Sequence, residues 1–100
     1  MAAFFIDLDG TFFQFGTNIP LPGAVDIIRG LLAQNHQIIF TTRRSDTEDV
    51  RPIMKKLFNE DLPVIPNVQS PRIVINDDGA GAINHPVNSS WNAKRFSAFL

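Results

Sequence analysis

Cysteine is absent from this chain, and tyrosine with it. Without cysteine there can be no disulfide, no thiolate metal ligand and no cysteine nucleophile, so catalytic or metal chemistry falls to oxygen and nitrogen groups. An excess of charge of one sign is also missing. Nine Lys and Arg stand against ten Asp and Glu, for a net charge of −1 and a pI near 6.0. That balance argues against a chain whose main task is neutralising a nucleic-acid backbone, while leaving room for a local basic cluster. No apolar run approaches the ~20 residues of a membrane helix. The opening Met1-Ala2-Ala3-Phe4-Phe5-Ile6 has no basic segment and meets Asp7 too soon for a secretory signal. The expectation is a soluble, cytoplasmic domain with no membrane partner.

What is present is apolar and largely aromatic. Hydrophobic residues make up 44% of the 100 residues and nine are Phe, enough for one packed core and too little chain for a second. A single domain over residues 1–100 is expected.

The chain opens on an apolar run, Ala3-Phe4-Phe5-Ile6, that drives into Asp7-Leu8-Asp9-Gly10-Thr11. Positions i and i+2 of a strand share a side, so Asp7 and Asp9 would leave a sheet edge together. Two carboxylates that close repel unless a positive group lies between them, which suits a metal ion. Gly10 permits a sharp turn, and Thr11 offers a hydroxyl and an amide to an anion. The competing reading is a two-residue hairpin at Asp9-Gly10.

The rest of the chain decides between them. Phe12 to Gly23 reads as a compact loop or flap, with Phe12 and Phe13 as core. Val25, Ile28, Leu31 and Leu32 have helical spacing in a first helix from Ala24 to about Asn35. His36–Thr42 reads as a buried strand ending in Thr41 and Thr42. A second helix follows, capped by Ser45 or Asp46 and carrying Val50, Ile53, Met54 and Leu57 inward. Leu62–Ile65 is a short edge strand. Arg72–Asn76 is another apolar strand, delivering Asp77, Asp78 and Gly79. Ala82–Asn84 is a further brief strand, and Asn92–Leu100 a terminal helix with Trp91, Phe96 and Phe99 inward. Alternating strands and helices imply a mainly parallel sheet with right-handed crossovers. The functional crevice of such sheets lies beyond the carboxyl ends of the strands. Three strand ends here carry polar cargo, whereas a hairpin explains the first alone.

Four carboxylates at one sheet edge call for a hard cation, and oxygen ligands point to Mg²⁺. Phosphoryl transfer would then use Asp7 as nucleophile, Asp9 as acid and base, and the hydroxyl of Thr41 or Thr42 with nearby amides on the phosphoryl oxygens.

Asp7-Leu8-Asp9-Gly10-Thr11, the strand ending in Thr42 and the strand ending in Asp77-Asp78 resemble motifs one, two and four of the haloacid dehalogenase superfamily, in its phosphatase branch. Leu21-Pro22-Gly23, Ile39–Arg44 and Arg72–Asp77 are similar to small capless members. The resemblance implies a Rossmann-like three-layer α/β sandwich without a cap, Mg²⁺ dependence and phosphomonoester hydrolysis. It implies Asp7 as nucleophile and metal ligand, Asp9 as acid/base with its carbonyl on the metal, Thr42 as phosphate-binding hydroxyl, Asp77 as metal ligand and Asp78 in support. Gly10, Thr11, Thr41 and Arg44 complete the expected phosphate-binding set. The Lys of motif three is missing from Val68-Gln69-Ser70-Pro71-Arg72. Lys55, Lys56, Arg44 and Arg72 are the other cations considered, none at the motif's position, and the two lysines suit a solvated helix face. An open site of this kind accepts a phosphorylated small molecule or a macromolecule, or is covered by a second copy of the chain.

Other polar residues have plainer readings. His36 and His85 read as loop residues, and Arg43-Arg44 either pairs with nearby acids or meets a substrate phosphate. Two further classes compete with the phosphatase. One is a catalytically silent binding or regulatory module, suggested by the missing Lys. The other is a phospho-acceptor receiver domain, disfavoured because the middle strand ends in Thr41-Thr42.

Overall fold

A computed structural model describes residues 1–100 and shows a small α/β fold. Strand β1 covers Ala3–Asp7, helix α1 Ala24–Ala33, strand β2 Gln37–Thr41, helix α2 Val50–Phe58 and strand β3 Val64–Ile65. The sheet order is β1-β2-β3, every pairing is parallel, and Asp7 lies opposite Thr41. This is the Rossmann-like arrangement expected from the alternating pattern, and no cap domain is inserted. The hairpin reading fails because β1 pairs with β2, 34 residues ahead in register, rather than with the residues just after Gly10.

Alternation along the strands shows which face is covered. Ile6, Ile38, Phe40 and Val64 are buried, whereas Phe5 and Ile65 are exposed. The buried set meets Ile27, Ile28 and Leu31 of α1 and Val50, Met54 and Phe58 of α2 in one cluster. Phe12 joins it edge-on to Phe40, with ring centroids 5.2 Å apart, and Phe13 packs beside it. Both aromatics are thus core, as their sequence context suggests. On the opposite face the third layer is an open groove, flanked by irregular chain that includes Val74, Ile83 and Val87.

Helix α2 starts later than the sequence suggests. Asp46 caps a local turn, accepting the Glu48 amide at 3.0 Å, and the chain turns once more before entering the helix at Val50. Asn92–Leu100 shortens to a 3₁₀ turn, Ala93–Phe96, although Trp91 and Phe96 are buried as expected. Trp91 stacks on Phe96 and donates its indole N–H to the Thr11 carbonyl at 2.8 Å. Its own carbonyl lies against Gly23, which enters α1 at φ +83°.

The largest departure concerns Arg72–Asn76 and Ala82–Asn84, neither of which forms a strand. Ile73, Val74 and Ile75 are exposed. A strand parallel to β1 that delivered Asp77 level with Asp7 would have to begin near Ala3. Instead, it is Arg72, at the start of the segment, that is tied to Asp7 at the carboxyl end of β1. The outer edge of β1 is left unpaired.

Candidate functional site

Strand β1 ends at Asp7, and the next residues fold tightly back on it. The Leu8 carbonyl accepts the amides of Thr11, Phe12 and Phe13 at 3.1, 3.0 and 2.9 Å, while the Gly10 amide is donated to the Phe13 carbonyl at 2.9 Å. Leu8, Phe12 and Phe13 are fully buried, so the turn is anchored in the core through its apolar members. Gly10 takes φ +81°, a conformation that side chains with a Cβ adopt with strain. Asp7 and Asp9 project from this turn into an open pocket of about 930 Å³, lined also by Phe15, Gly16, Thr17, Asn18, Arg43, Arg44, Ser70 and Arg72.

Each carboxylate has its own arginine. Arg72 Nη2 donates to Asp7 Oδ1 at 3.1 Å. Arg44 grips Asp9 with Nε to Oδ2 at 3.0 Å and Nη2 to Oδ1 at 2.7 Å. The same guanidinium donates to Asn18 Oδ1 at 2.8 Å and to the Thr17 carbonyl at 3.0 Å, and it lies over the Phe13 ring. Hydrogen bonding to Asp9 holds the Arg44 guanidinium above the ordinary arginine range, against an opposing push from its partial burial. The positive charge that two neighbouring carboxylates require is therefore supplied by the chain itself.

Several residues expected at the phosphate are committed elsewhere. Thr42 is buried, and its Oγ1 accepts the Arg44 amide at 3.0 Å, bracing the loop that carries Arg44. Thr41, level with Asp7, faces the groove behind the sheet rather than the pocket. The amides of Gly10 and Thr11 already serve the turn. Arg44 lines the pocket, but all save one of its N–H donors are engaged by Asp9, Asn18 and Thr17.

Asp77 and Asp78 are exposed and line no part of the pocket, because the segment before them does not pair with β1. The convergence of four carboxylates is thus corrected to two. No cluster of three or more carboxylate or imidazole groups forms anywhere in the chain. Magnesium takes hard oxygen ligands in near-octahedral geometry. The present donors, two carboxylates each held by an arginine, do not fit that ion as arranged.

The sequence pattern pointed to the two Asp but missed Asn18, Thr17, Phe15 and Ser70, and left Arg72 as one cation among several. A signal for Arg72 exists in its place directly before the apolar run Ile73–Ile75. For Asn18 there is none, since its role depends on a flap meeting a loop 26 residues later. No helix is long and apolar enough to cross a membrane.

A family model described as haloacid dehalogenase-like hydrolase matches residues 4–78. That stretch runs from β1 through the whole sheet to Asp78. Comparison with curated proteins and with solved structures gave no match.

Proposed function

The chain belongs to the haloacid dehalogenase-like hydrolases, and on that premise we propose that it hydrolyses phosphomonoesters with Asp7 as the attacking carboxylate. The observation that carries the proposal is the pairing of Asp7 with Arg72 at the mouth of a polar pocket. A phosphoryl group approaching Asp7 meets the Arg72 guanidinium at the same point, a planar donor suited to phosphate oxygens. Attack by Asp7 Oδ on phosphorus forms an aspartyl-phosphate and releases the ester oxygen, which must gain a proton. Water then cleaves the acyl-phosphate and returns the carboxylate. Asp9, on the same turn, would move both protons: protonated after its bonds to Arg44 open, it gives that proton to the leaving oxygen and takes one back from the attacking water.

Magnesium, which the family implies, would enter this site only if the arginines released the carboxylates, and the steps above use the chain's own groups alone. Phosphate release from p-nitrophenyl phosphate and a sugar-phosphate panel, with and without Mg²⁺, tests the reading against the Asp7→Asn variant. Turnover that survives Asp7→Asn would sink it. Engagement of both Asp9 oxygens by Arg44, with the Gly10 and Thr11 amides spent in the turn, favours a second reading. In that reading the chain binds phosphorylated ligands without cleaving them, and binding without turnover in the same assays would support it.

A further inference from the structure

Phe15 is the single hydrophobic side chain among the ten residues lining the pocket, and it is 83% exposed. It takes no part in the aromatic pairs that knit Phe12, Phe13, Phe40 and Phe58 together. Its position is nevertheless specific. The ring lies over the carboxylate turn, so close to Gly10 that a Cβ there would be 3.4 Å from Phe15 Cδ2. A large aromatic face is left in water beside two carboxylates and three arginines, whereas Phe12 and Phe13 just before it are fully buried.

The loop that displays it is built to hold still. Arg44 ties the Thr17 carbonyl and Asn18 to Asp9, and Asn18 donates in turn to Asp49 at 2.8 Å. Inside the loop the Gln14 amide reaches the Ile19 carbonyl at 2.8 Å, and Thr17 bonds back to the Gln14 carbonyl through both amide and hydroxyl. Phe15 is therefore presented by a braced loop, which lowers the ordering cost of stacking something on it. Arg43 lines the same pocket, is exposed, and makes no hydrogen bond or ion pair, leaving its donors for acceptor atoms on a ligand. About 930 Å³ is ample for a nucleotide-sized molecule.

We propose that Phe15 is a stacking platform and that the ligand of this site is a phosphomonoester carrying a flat heteroaromatic ring, a nucleoside monophosphate, with its phosphoryl group at Asp7 and Arg72. Every nucleobase offers a π-face, and a neutral bare ring among charged groups selects for one over an aliphatic alcohol. The inference rests on the phosphomonoester reading for the identity of the other end of the ligand.

Two ligands that differ by the base alone test it: adenosine 5′-monophosphate and ribose 5-phosphate, titrated calorimetrically into the Asp7→Asn variant, which cannot turn them over. The nucleotide is expected to bind about tenfold tighter. Adding Phe15→Ala should bring the two within about twofold by weakening the nucleotide alone, and Phe15→Trp should keep the preference. Equal affinities, no binding of either ligand, or a Phe15→Ala change that weakens both alike overturns the inference. Because the readout is binding, a chain that fails to release phosphate in the activity assay refutes the catalytic reading and leaves this one standing or falling by its own measurement.

Discussion

Arg44 holds both oxygens of Asp9, at 3.0 and 2.7 Å, with a guanidinium that also reaches the flap at Asn18 and Thr17. One side chain thus joins the turn after β1, the flap and the loop after β2. Asp9 is positioned by that grip, and so are Thr17 and Asn18 of the flap.

Removing the grip should loosen all three segments. Arg44→Ala is expected to cost about 1–2 kcal/mol, since it deletes charge-assisted hydrogen bonds and leaves Asp9 without its partner. Arg44→Lys keeps the charge but cannot span four acceptors, so it should recover part of the loss. Urea denaturation of the three proteins measures this, and equal midpoints would show that the grip is idle.

The Arg44–Asp9 pair also makes a pH prediction. A cation whose folded value lies above its ordinary one contributes stability that is fully present below the unfolded value and fades as pH rises through the folded value. For an arginine that window lies at strongly alkaline pH. The stability difference between wild type and Arg44→Gln should therefore stay flat across about pH 7–9, a range far below arginine titration. Melting curves of both proteins across that range would expose a slope if another group controls the pair.

Asp7 pairs with Arg72 at a half-exposed position, where an ion pair contributes at most about 1 kcal/mol. Asp7→Asn should therefore melt within a few degrees of wild type while losing phosphate release by at least about 10³-fold, as removal of a nucleophile does. Arg72→Ala should weaken phosphate binding with Asp9 still held by Arg44. A melting loss as large as that of a core substitution would mean that Asp7 is structural.

With the carboxylates already paired with arginines, folding is expected not to depend on a metal. Chelation with EDTA should leave the circular dichroism spectrum and melting temperature unchanged, whatever it does to activity. A large drop in melting temperature would mean that an ion is part of the fold.

Gly23 takes φ +83° where a Cβ would collide with the Trp91 carbonyl. Gly23→Ala should cost about 2–3 kcal/mol, combining left-handed strain with displacement of the Trp91 segment. Gly16→Ala is the matched control. It has φ +75° and open space around it, so strain alone should cost about 1 kcal/mol. Thermal melts that rank the two in reverse would show that the Trp91 contact yields easily.

Local pattern carried much of this protein. The apolar run into Asp7, the helical spacing around Ile28 and Met54, and the β-rich Gln37–Thr41 were readable because period and burial are set by neighbours within a few residues. The placement of Asp7 and Asp9 at the carboxyl end of a parallel strand followed from the same logic. Tertiary structure decided the rest, because it turned on contacts between distant residues. Ile73-Val74-Ile75 has the composition of a strand, yet a strand needs a partner in register, and the Arg72–Asp7 bond starts that segment at the wrong end of β1. With Arg72 at Asp7, Asp77 and Asp78 lie outside the pocket that holds the carboxylates they were expected to join. In the same way the positive charge that two adjacent carboxylates demand was foreseeable from electrostatics, but its source was not. The spacing suggested a metal, and the fold supplied Arg44 and Arg72 from 35 and 65 residues away.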